Sequence, residues 1–168
     1  MAETGNLHVV EPGHAPTPFT ADEIRRGCPQ GRTIRLLVET AAEQPYTRTI
    51  TFRECDRNGA VQERAAATLT GDRLSPVQTQ RSTWAELQAH ASFPADRTEI
   101  NQVMLETPLG RLECLRYSVT DGSTVETFWF AKTLPGMPVR FTSEVAGQVV
   151  SAVVMVSDSL QPNDVSSP

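Results

Sequence analysis

His90 stands four residues after Glu86, in a segment with helical apolar spacing. Side chains at i and i+4 of a helix meet. The pair could therefore act as a carboxylate-oriented imidazole, the general base that a small cyclase or isomerase needs. The same placement also suits a histidine that complements the negative end of a helix and pairs with Glu86. No nucleophile accompanies it. The Gly-x-Ser-x-Gly turn is absent, and Cys114 sits inside a strand pattern with no base beside it. His90 and Glu86 are thus the catalytic candidates.

Neither a metal nor a cofactor is expected. Glu54-Cys55-Asp56-Arg57-Asn58-Gly59 imitates the start of a calcium loop, but the acid required at the twelfth position is Ala65. Strand patterns flank that segment, so a hairpin turn explains it. His8 and His14 lack ligand-rich neighbours, and Cys28, Cys55 and Cys114 fit neither a zinc site nor a disulfide framework. Reduced, partly buried thiols are expected. No Gly-rich phosphate loop follows a strand.

A second group of residues suits binding. Trp84, Phe128, Trp129 and Phe130 could line an apolar pocket or pack a core. Met104, Met137 and Met155 suit an adaptable wall. Arg116 and Arg140 could orient the polar end of a ligand. Arg116 also faces Glu126 across a hairpin of symmetric register, where a cross-strand ion pair is the plainer reading.

The elements that must position these groups are mostly strands. Ile34, Leu36 and Val38 alternate with polar or outward positions, as do Ile50 and Phe52. Asn58-Gly59 suits a type I′ hairpin into Val61–Leu69. A short strand near Val77–Arg81 follows. Arg111–Val119 and Thr124–Ala131 flank Asp121-Gly122, and Val139–Val145 and Val149–Val156 flank Ala146-Gly147. Two short helices interrupt the strands. Thr20 and Glu23 form a capping box before a helix stopped by Gly27 and Pro29. Thr83 and Glu86 do the same for Trp84–Ala91, whose apolar stripe is Trp84, Leu87 and Ala91. The reading is a mainly β (α+β) domain: an antiparallel meander of about eight or nine strands, forming an open or closed half-barrel with two short helices.

Composition agrees with one domain. The chain has 168 residues, with 20 acids against 15 bases and a net charge of −5. Lys132 is the only lysine. The bases are scattered and the balance is acidic, so nucleic acid is not expected as a partner. The longest apolar stretch, Val149 to Val156, is far short of the ~20 residues of a membrane-spanning helix. The N-terminus carries no apolar signal segment as written, so a cytoplasmic location is expected. Residues 1–18 read as a flexible arm, 19–157 as the β-rich domain, and 158–168 as a flexible tail.

Three segments carry a family resemblance: Thr107-Pro-Leu-Gly-Arg-Leu-Glu-Cys-Leu-Arg-Tyr117, Thr127-Phe-Trp-Phe-Ala131 and Leu134-Pro-Gly-Met-Pro-Val-Arg140. Together they resemble the closing half of LolA/LolB-like bacterial proteins and related uncharacterised families, over roughly 50 residues. The resemblance implies an open half-barrel, lidded by short helices, with an apolar cavity for acyl chains. This chain departs from that group in showing neither an export signal nor a lipobox cysteine. The expected function is non-catalytic binding of an apolar or amphipathic small molecule. The alternatives are a small-barrel enzyme using His90 and a protein-interaction module with a filled core and an exposed sheet edge.

Overall fold

The computed structural model describes residues 5–160. It contains nine strands: β1 (Arg32–Thr40), β2 (Tyr46–Arg53), β3 (Gly59–Thr68), β4 (Gln78–Thr83), β5 (Thr98–Thr107), β6 (Gly110–Asp121), β7 (Thr124–Ala131), β8 (Arg140–Val145) and β9 (Gln148–Leu160). Helix α1 (Ala21–Gly27) precedes β1, and α2 (Trp84–Ala89) lies between β4 and β5. Both expected capping boxes form, on Thr20 with Glu23 and on Thr83 with Glu86. No helix among the described residues is long and apolar enough to cross a membrane.

All nine strands join one antiparallel sheet in the order β4-β3-β2-β1-β9-β8-β7-β6-β5. The sheet does not close; β4 and β5 are its edges. Two meanders meet where the first strand pairs with the last, Leu36 opposite Met155 and Val38 opposite Val153. The chain returns from edge β4 to edge β5 through α2 and a single 3-10 turn at Ala95–Arg97. The sheet bends enough that β5 comes near β9.

Cross-strand register sorts side chains onto two faces. The face that carries Ile34, Leu36, Ile50, Phe52, Phe130 and Met155 meets Ile24 of α1 and Trp84 of α2 in the buried core. A connected aromatic group continues it. Phe93 stacks on Phe128 at 4.9 Å, Phe128 on Phe141 at 4.7 Å, and Tyr117 meets Phe130 edge-on at 5.4 Å. Such pairs each contribute about 0.5–1.5 kcal/mol beyond their area burial.

Several sequence expectations change. Within residues 5–18, expected as a loose arm, Ala15, Thr17 and Pro18 are buried while most of residues 5–13 are exposed. Ala15 N–H donates to the Phe93 carbonyl at 2.8 Å, and Thr17 N–H to the His8 carbonyl at 2.7 Å. Gln88, buried on α2, donates to the Leu7 carbonyl and to Thr17 Oγ1. Buried backbone groups need partners, and the arm and Gln88 satisfy each other. The expected tail begins inside β9, which runs to Leu160; its remainder, like residues 1–4, lies outside the described residues.

The turn at Asn58-Gly59 is a longer loop than the two-residue hairpin expected. Asp56 closes it by accepting N–H groups from Asn58 at 2.8 Å and Gly59 at 2.9 Å. Gly59 is required for a different reason: a Cβ there would lie 2.2 Å from the Ser82 carbonyl oxygen on β4. At the hairpin between β6 and β7 the central pair is Gly122-Ser123, since Asp121 is opposite Thr124. Arg116 therefore pairs with Trp129, and Glu126 with Val119, so the expected Arg116–Glu126 pair does not face across the strands.

Candidate functional site

The helix-covered face does not fill completely. A cavity of about 230 Å³ remains between the sheet and the two helices. Its floor is Ile50 and Phe52 of β2, Gln62 and Arg64 of β3, and Phe128 and Phe130 of β7. Its roof is Ile24, Leu87, His90 and Ala91, and Gly136, Met137 and Pro138 form one rim. An apolar cavity of about 150 Å³ accommodates benzene, so this one has room for a ring or a chain of about eight carbons.

Register explains the two polar floor residues. β3 pairs with β2 so that Gln62 is opposite Phe52 and Arg64 is opposite Ile50. Residues directly opposite share a face. Gln62 and Arg64 are thereby turned inward beneath the helices. Gln62 is 7% exposed and accepts from Arg64 Nη2 at 3.0 Å. The Arg64 Nε–H is buried and has no hydrogen-bond partner among the described residues. Beside the cavity, a second hollow is lined by Arg48, Ile50, Arg64, Ser75, Gln78 and Met137, so Ile50, Arg64 and Met137 border both. Among the described residues, neither lining contains an aspartate or a glutamate.

Phe128 and Phe130, expected on a pocket wall, are on this one. Trp84 is not; it is a core residue, 4% exposed, whose Nε1–H donates to the Asp56 carbonyl at 2.8 Å. Arg116, Trp129 and Arg140 are brought together, but on the opposite face of the sheet. There they line a shallow groove with Thr142, Glu144 and Val149. The Arg140 guanidinium lies 5.0 Å from the Trp129 ring centre, a cation–π distance. Arg116 Nε is also buried without a partner among the described residues.

His90 caps the C-terminus of α2 and borders the cavity. Glu86 does not orient it. The Glu86 carboxylate accepts the Thr83 N–H at 3.1 Å, completing the capping box, and only its backbone carbonyl meets the His90 N–H. The expected dyad is thus divided between a cap and the cavity's roof.

The thiols are poor nucleophiles. Burial pushes the Cys28 thiol up, against the opposing pull of the nearby Arg32 guanidinium. Burial likewise raises Cys55, with Cys28 adding to it, and burial raises Cys114. All three are free. The Asp56 carboxyl is held low by the Asn58 and Gly59 N–H groups and by Arg81. Its oxygens serve the turn, and no cluster of metal-ligating side chains occurs among the described residues.

No protein-family model matches this sequence, and no curated protein matches it.

Proposed function

We propose that the protein binds an apolar or amphipathic small molecule, without transforming it, in the cavity between the sheet and the helices. One observation carries this reading: the cavity's walls are mainly aliphatic and aromatic, with Gln62 and Arg64 convergent on one side. Small-molecule sites have that composition. Each buried methylene of a ligand would contribute about 0.8 kcal/mol. The open sheet with helices on one face also suits the half-barrel that the motifs between Thr107 and Arg140 suggest. Arg64 takes the orienting role expected of Arg116 and Arg140, which lie on the other face.

The test is native mass spectrometry of the freshly purified protein, followed by denaturing extraction, alongside a panel of fatty acids and alcohols. A reproducible bound mass released on unfolding, or saturable binding from the panel, is the expected result. Protein that carries nothing and ignores the panel overturns the reading and favours an interaction module.

A second reading rests on His90 at the cavity's edge. A small-barrel enzyme using it would lose turnover on His90→Ala while keeping its fold.

A further inference from the structure

The cavity's polar side has one sign. Arg64 is inside it and Arg48 borders the adjoining hollow. No carboxylate among the described residues lines either space. Neither Arg48 nor Arg64 joins an ion pair among the described residues, whereas Arg25, Arg26, Arg32, Arg53 and Arg81 all do. This occurs in a chain whose net charge is −5. Arg48 is occupied by Tyr46, donating to its hydroxyl at 3.1 Å. Arg64 has one Nη2–H committed to Gln62 and keeps its Nε–H unpaired.

A buried polar hydrogen without a partner is unfavourable. A guanidinium presents parallel N–H groups that match the two oxygens of a planar carboxylate. We propose that the ligand is a small apolar monocarboxylate. Its carboxylate lies on the Arg64 guanidinium, and its chain or ring of about eight carbons lies against Ile50, Phe52, Phe128 and Phe130. Arg48 adds a second positive charge on the headgroup side. The assignment rests on the reading of the cavity as a binding site, and it fixes the charge of what binds there.

Octanoate, 1-octanol and octylammonium share a chain and differ in the head, so calorimetric titration with all three separates head from tail. Octanoate should bind about tenfold or more tightly than 1-octanol, as a charge-assisted hydrogen bond implies. Octylammonium should bind more weakly than either. Arg64→Met should remove that preference, lowering octanoate affinity about tenfold while changing 1-octanol affinity less than threefold. Arg64→Gln is the second variant should the first fail to fold by circular dichroism, and the same loss is expected of it. Equal binding of octanoate and 1-octanol overturns the carboxylate assignment and leaves the cavity reading intact. So does octanoate binding that neither variant weakens. If none of the three binds, both the assignment and the cavity reading fall.

Discussion

Arg32 and Asp158 form a two-pronged ion pair across the seam where the first strand meets the last: Nε to Oδ1 at 3.0 Å and Nη2 to Oδ2 at 2.9 Å. Their side chains are only 5% and 13% exposed. The third nitrogen, Nη1, donates to the carbonyls of Gly27 and Pro135 and contacts Cys28 Sγ. One guanidinium thus ties the end of α1, and Pro135 just before the Gly136–Pro138 rim of the cavity, to the centre of the sheet. Gly136 in that rim has φ +114°, and a Cβ there would meet Cys28 Sγ at 3.2 Å.

Removing one partner of a buried pair leaves an uncompensated charge, at a cost of about 3–5 kcal/mol. Asp158→Ala should therefore lower stability by about 3 kcal/mol or more in urea denaturation. A loss below about 1 kcal/mol would mean that water reaches the seam and screens the pair.

Gly59→Ala tests the edge. Its added Cβ would collide with backbone on β4, and backbone cannot swing aside as a side-chain tip can. Overpacking of this kind costs about 1–3 kcal/mol. Hydrogen exchange should show β4 opening first, with β1 and β9 still protected. Uniform loss of protection would place β4 within the global unfolding unit instead.

Tyr117 predicts an alkaline limit. Its hydroxyl donates to the Pro16 carbonyl at 2.7 Å, and burial pushes its pKa up to about 12. An unfolded tyrosine ionises near 10. Between those values the unfolded chain releases the proton and the folded chain keeps it. The contribution is therefore complete below about pH 10 and is lost as pH rises through about 12. Tyr117→Phe should flatten that decline. It should also cost about 1 kcal/mol at neutral pH through the lost hydrogen bond. A variant that keeps the wild-type alkaline decline would show that another group causes it.

Trp129 and Leu87 discriminate between the two faces. Trp129→Phe alters the outer groove and should leave octanoate binding within about twofold, since surface changes away from a site have small effects. Leu87→Trp extends into the cavity and should abolish binding of octanoate and 1-octanol alike. Its melting temperature should still show a folded domain. If Trp129→Phe weakens binding while Leu87→Trp does not, the ligand sits in the outer groove with Arg116 and Arg140.

Much of the fold is written in local pattern. The capping boxes at Thr20 and Thr83 identify both helices, because two reciprocal hydrogen bonds need only a three-residue spacing. β7 and the hairpin at Ala146-Gly147 follow from alternation and from turn residues, both short-range signals. Both central residues of that turn have positive φ, as the I′ geometry demands. Phe128 and Phe130 are legible as a wall because they share a strand face.

Tertiary structure decided the rest. Gln62 and Arg64 occupy alternate positions of β3, and on their own they read as a solvent face. Pairing with Ile50 and Phe52 overrides this, since register fixes which face a strand's side chains take. The signal that could have found them was the β2–β3 hairpin register, which places each polar residue opposite a core residue. Arg116, Trp129 and Arg140 show the converse: adjacent in space, yet outside the cavity, because strand parity sends them away from Phe128. Pairing of β1 with β9 spans more than a hundred residues of chain, and no local pattern encodes it. By itself the sequence determined strands, helix ends and apolar faces, because those depend on neighbours a few residues away. The seam, the inward arginine and the cavity it lines were decided by which strands paired, a contest of burial and hydrogen bonding across the whole sheet.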